Sequence, residues 1–138
     1  MDADTPAVAV DLRVLGDLEP LWRAWLDDAS RRTRVELDPD SLDSRLPNWR
    51  ALLERFAEDH APVHLRTSAP VAAGLRRLRD AGVRIGVFTP YPEELARIAL
   101  AHLGASRRVA VIVCGVDAEA RLLAELGPAR VVRTAAEL

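Results

Sequence analysis

Short apolar runs that alternate with amphipathic helices constrain this chain more than any other feature. AVAV at 7–10 runs straight into Asp11. VRIGVF at 83–88 runs into Thr89, VAVIV at 109–113 is closed by Cys114–Gly115, and a last short run spans 130–133. Runs of this length, rich in β-branched residues, suit strands buried on both faces of a sheet. Strands that alternate with helices imply a parallel sheet with right-handed crossovers. In open sheets of that kind ligands sit at the carboxyl ends of the strands. Asp11 and Thr89 are therefore the first candidates for a site, with Asp117 close behind the third run.

The helical segments are equally legible. Gly16 allows a tight turn after the first run, and Asp17 is placed to cap the helix that follows. Leu18, Leu21, Trp22, Trp25 and Leu26 recur at helical spacing. Two tryptophans on one face either line a pocket or pack against a neighbouring helix. Ser30 to Pro47 is polar and broken by turn residues. Asn48 then caps a helix expected to run to about His60, with Trp49, Leu52, Leu53 and Phe56 on one side. Together these helices form an insert at about 17–65, a small cap between the first strand and the next strand–helix unit. PVAAGLRRLRDA at 70–81 reads as a helix stopped by Gly82. Glu93 and Glu94 fall in the first turn of a helix ended by Gly104, and Asp117 is placed to cap a helix through Leu126.

Composition removes several classes of chemistry. All 19 basic residues are Arg, so Schiff-base, P-loop and catalytic lysine mechanisms are absent. A single cysteine, Cys114, excludes an internal disulfide framework and a thiolate zinc cluster, and fits a reducing cytoplasm. Cys114 reads as a small buried hydrophobe or a strand-end nucleophile. The net charge of −2 is spread without a basic stripe, so nucleic acid is not an expected partner. No apolar run approaches a membrane span, and the start, MDADTPA, lacks the pattern of a secretory leader. His60 and His64 have metal-ligand spacing, but Pro62 between them argues against a continuous helix there.

In order and spacing, VAVDLRVLGDL, VRIGVFT and the stretch 109–127 resemble the haloacid dehalogenase-like superfamily, in its phosphoglycolate-phosphatase-like branch. The resemblance implies an α/β fold: a Rossmannoid parallel sheet of about four strands, with the small helical cap inserted after the first. It also implies a Mg²⁺-dependent phosphatase of small phosphorylated metabolites. In such an enzyme one Asp attacks phosphorus, a second Asp two residues on acts as acid and base, and a Thr and a Lys hold the phosphoryl oxygens. Late acids then hold the metal.

By this resemblance Asp11 is the nucleophile position and a metal ligand, Thr89 a phosphate ligand, and Asp117 a second metal ligand. The departures are equally specific. Arg13 stands in place of the second Asp and cannot serve as general acid or base near neutral pH. Strand alternation puts it on the side of Asp11, where it would pair with the carboxylate and compete with Mg²⁺. Leu15 replaces the motif's Thr, no Lys exists, and Val116 stands where a late Asp is expected. The interval from Thr89 to Gly115 is too short for a further strand and helix.

Two readings follow: a weak or inactive phosphatase homologue, or a non-catalytic module that binds a small phosphorylated metabolite or a protein partner. Loss of a strand–helix unit would uncover a sheet edge beside the second strand. A homodimer, through that edge or the tryptophan-bearing cap, is the corresponding expectation.

Overall fold

The computed structural model describes residues 6–138. The start Met1–Thr5, which carries most of the segment read above for a leader, lies outside the described residues. Four strands, β1 (Ala7–Asp11), β2 (Arg84–Thr89), β3 (Val111–Cys114) and β4 (Arg130–Val132), form one parallel sheet in the order β3-β2-β1-β4. The expected α/β architecture of about four parallel strands is what the chain adopts.

Six α-helices among the described residues accompany the sheet: α1 (Glu19–Thr33), α2 (Leu42–Arg45), α3 (Trp49–His64), α4 (Ala69–Asp80), α5 (Glu93–His102) and α6 (Ala118–Leu126). The two faces of the sheet are covered unequally. Val8, Val10, Ile85 and Val87 point into the main core with side chains of α1, α3, α4 and α5. The alternate residues Ala9 and Phe88 meet Ala118 and Leu122 of α6 in a smaller cluster. Period-two alternation along β1 and β2 divides the residues between these cores.

Local chemistry explains the helix ends. The Ser68 side chain accepts the Val71 N–H and starts α4, and Gly82 leaves it with φ 81°. Asp17 Oδ1 accepts the Glu19 N–H at 3.0 Å, one residue ahead of the cap position at Leu18.

Three expectations need correction. Helix α3 does not stop at His60 but runs through Pro62 to His64. The bond that proline forgoes would go to the Glu58 carbonyl, which sits on an exposed residue that water can serve. Asp117 is not a side-chain cap: it lies in the left-handed region at φ 56° and makes no capping hydrogen bond. Finally, β2 has no uncovered edge, because β3 pairs with it on the side away from β1. The sheet edges are β3 and β4.

Candidate functional site

The carboxyl ends of β1 and β2 lie side by side, with Asp11 in register with Phe88 and Thr89 one residue beyond. Asp11 is 5% exposed and Thr89 2%, the two buried polar residues of the described chain. Burial of a carboxylate requires compensation, and Arg13 supplies it. The Arg13 backbone N–H donates to Asp11 Oδ1 at 3.0 Å, while its Nε and Nη2 donate to Oδ2 at 3.1 and 2.7 Å. The chain turns directly after Asp11 into a 3₁₀ segment, Leu12–Val14, which brings the Arg13 backbone under the carboxylate. Both carboxylate oxygens are therefore engaged by the residue that replaces the second motif Asp. Hydrogen bonding and attraction from Asp11 raise the Arg13 pKa further, so the guanidinium stays charged.

Thr89 faces the following turn. Its Oγ1 accepts the Tyr91 N–H at 3.3 Å, and its carbonyl accepts the Gly115 N–H at 2.9 Å. The hydroxyl thus ties down the turn that leads to α5.

The structure does not bring Asp117 to Asp11. It follows β3, and β2 lies between β3 and β1, which sets a separation of about 10 Å across two strand spacings. The strand that does flank β1 on its other side is β4, and Arg133 directly follows its end. Arg133 forms a two-pronged pair with Glu119: Nη1 to Oε1 at 2.5 Å and Nη2 to Oε2 at 2.8 Å. Hydrogen bonding to Arg133 lowers the Glu119 pKa, while nearby Asp11 opposes that shift. Neither Arg133 nor Glu119 stands out in the sequence as a site residue. The order of the sheet alone puts them at this mouth.

A second missed pair is Tyr91 and Glu19. The Tyr91 hydroxyl donates to Glu19 Oε2, which joins the turn after β2 to the first turn of α1. The Tyr91 ring also meets Trp22 edge-on at 6.0 Å. Arg50 of α3 makes a further bridge to Glu94 of α5 at 2.9 Å, and its guanidinium lies 4.3 Å from the centre of the Trp49 ring. The cap is thus fastened to the sheet layer at two places.

A hard divalent cation such as Mg²⁺ needs several free oxygen ligands, one or two carboxylates among them. The donors around Asp11 do not fit one. Its oxygens are held by Arg13, Glu119 is held by Arg133, and Asp117 is displaced by two strands. No group of three His, Cys, Asp or Glu side chains among the described residues converges as a metal site. His60 and His64 share α3, but His60 stacks on Phe56 at 3.9 Å and its Nδ1 contacts the Phe56 carbonyl at 2.9 Å. The Cys114 thiol is pushed up to about 11, first by burial and then by Glu93 and Glu94, so it is not an activated nucleophile.

No family model and no curated protein matches the chain. Solved structures do. The putative beta-phosphoglucomutase from Thermotoga maritima superposes with a TM-score of 0.60 at 18% identity, over 93% of this chain and 74% of its own. A hydrolase from Streptococcus pneumoniae TIGR4 gives a TM-score of 0.43 at 18% identity, over 78% of this chain and 65% of its own. The chain has the haloacid dehalogenase-like fold. No helix among the described residues is long and apolar enough to cross a membrane.

Proposed function

We propose that this chain is a haloacid dehalogenase-fold protein that no longer transfers phosphoryl groups and serves as a binding or interaction module. One observation carries the reading: Arg13 engages both oxygens of Asp11, Oδ1 through its backbone N–H and Oδ2 through its guanidinium. A carboxylate in that grip is neither free to attack phosphorus in line nor available to a cation. The residue that grips it stays protonated near neutral pH and cannot serve as acid or base. The lack of any lysine, together with Arg133 at the end of β4, supports the same conclusion. Its partners are then a phosphorylated metabolite held as an anion, or a protein.

One observation favours a second reading, a residual Mg²⁺-dependent phosphatase. The Arg13 side chain is 73% exposed and could swing away, which would leave Asp11 beside Thr89. The assay that separates the two uses p-nitrophenyl phosphate and phosphoglycolate with Mg²⁺, on wild type and Asp11→Asn. The expected result is no turnover by either, and no rise in melting temperature with Mg²⁺ and beryllofluoride. Turnover by wild type that Asp11→Asn abolishes would overturn the proposal. Arg13→Asp alone is expected not to restore activity, because losses within one catalytic unit do not add independently.

A further inference from the structure

At the amino ends of the strands, away from Asp11 and Thr89, the surface holds a cleft of about 580 Å³. Arg79, Ala101, Gly104, Ser106, Arg107 and Arg108 line it. Arg79 comes from the last turn of α4, which leads into β2. The other five come from the end of α5 and the turn that leads into β3. Because β2 and β3 run parallel, both approaches meet at one end of the sheet.

The wall of this cleft is basic and holds no carboxylate. None of its three arginines forms an ion pair among the described residues. Arg108 Nη1 donates to the Gly104 carbonyl at 3.0 Å, which fixes that guanidinium in the wall. Arg79 and Arg107 are exposed. Backbone donors join them. The Arg108 N–H closes a turn onto the Ala105 carbonyl at 2.9 Å. The N–H groups of Ser106 and Arg107, inside that turn, donate to no backbone carbonyl among the described residues.

Helix ends do not account for this much charge. Arginines near a helix C-terminus complement its dipole, and the ends of α4 and α5 both meet here. Each end is equivalent to about half a negative charge, so the two together offset about one of the three arginines. Asp80 is the one acidic residue in 76–84 and 100–110, and it lines no part of the cleft. It follows Arg76 and Arg77 on the same helix, which outnumber it. Positive charge therefore remains, and it faces a concavity of the size that takes a small ligand.

We infer that this cleft binds the phosphate chain of a small oligophosphate, inorganic or carried by a nucleotide. The guanidinium fork matches phosphate oxygens in pairs, and backbone N–H groups serve the same oxygens. One phosphate would leave most of the cleft to water. A chain of two or three spans more of it and meets arginines from both elements. The cleft lies at the opposite end of the sheet from Asp11, so the inference stands whether or not that carboxylate reacts.

Titration calorimetry and amide NMR on the wild-type chain, in low salt without divalent cations, test this with sodium triphosphate, ATP, adenosine and citrate. Saturable one-to-one binding of triphosphate is expected, with a dissociation constant that rises with salt. The amides of Ser106 and Arg107 are expected to shift most. Arg79→Gln and Arg107→Gln, both at exposed positions, are each expected to weaken binding on the order of tenfold. Arg45→Gln, exposed on the cap, is expected to leave it unchanged. Equal affinity for triphosphate and ATP supports a site for the phosphate chain alone; tighter binding of ATP supports a nucleotide site. No saturable binding up to the millimolar range overturns the inference. So does citrate or adenosine that binds as tightly as triphosphate. Shifts confined to Leu12–Val14 and Thr89, or an affinity that Arg79→Gln and Arg107→Gln leave intact, overturn it as well.

Discussion

Tyr91 is the residue at which the cap and the sheet layer meet. Burial and its bond to Glu19 push the phenol well above its ordinary 10, so it stays protonated wherever the protein is folded. The same bond, with Arg23 behind it, holds the Glu19 carboxyl below its ordinary 4.5. A carboxylate with a lowered folded pKa contributes stability that is present above its unfolded value and lost as pH falls through the folded one. Tyr91→Phe is therefore expected to lower the melting temperature at neutral pH, and the difference from wild type to shrink below about pH 4.5. Thermal melts of both proteins across that range check it; a gap that does not change with pH would count against the Glu19 partnership. Sequence separation explains why this pair was invisible beforehand while another was plain. Asp11 and Arg13 are two residues apart, near enough that the 3₁₀ turn directly after Asp11 brings them together. Tyr91 lies 72 positions from Glu19, and Arg133 lies 14 from Glu119. No local pattern reports on such pairs; only the order of the strands makes them neighbours.

At the scale of elements, apolar periodicity was a sound guide and local breakers were not. The runs ending at Asp11 and Thr89 became strands because an uncharged β-branched run has no stable home but the middle of a sheet. Pro62 misled because its cost depends on which carbonyl loses its bond, and that depends on the face it occupies. Asp117 misled because a capping residue must have an extended backbone, whereas Gly115 and Asp117 both turn left-handed there. Strand β2 carries a requirement of its own at Gly86. A Cβ at that position would come within 2.7 Å of Leu122 Cδ1 and 3.0 Å of Leu126 Cδ1. Leu122 is fully buried and has little room to yield. Gly86→Ala is expected to cost about 1–3 kcal/mol through overpacking between β2 and α6. A urea midpoint that falls with unchanged slope is the expected signature.

For the whole molecule, the decisive feature is that the cap and the main sheet face share one core. Leu21, Trp25 and Leu53 from the cap helices belong to the same buried cluster as Val8, Val10 and Val87. Leu53→Ala, at a side chain with no exposure, is expected to cost about 2–5 kcal/mol. Because the core is continuous, that loss should lower the protection of amides in β1 and β2 as well as in α3. Hydrogen exchange read strand by strand makes the distinction: β1 and β2 amides unchanged beside a loosened α3 would show a cap that folds separately.

The aromatic side chains give this junction an optical consequence. Trp22 lies 5.5 Å from Trp25, Trp25 lies 6.1 Å from Trp49, and Trp22 lies 6.0 Å from Tyr91. All three tryptophans and the single tyrosine of the chain thus form one relay from α3 through α1 to the turn after β2. Light absorbed by the tyrosine passes to the indoles, and the coupled indoles should give a near-ultraviolet couplet that collapses when the cap lifts. Intrinsic fluorescence therefore watches the seam between cap and sheet and nothing else. It carries no signal from the β3 edge, whose four residues include no tryptophan or tyrosine.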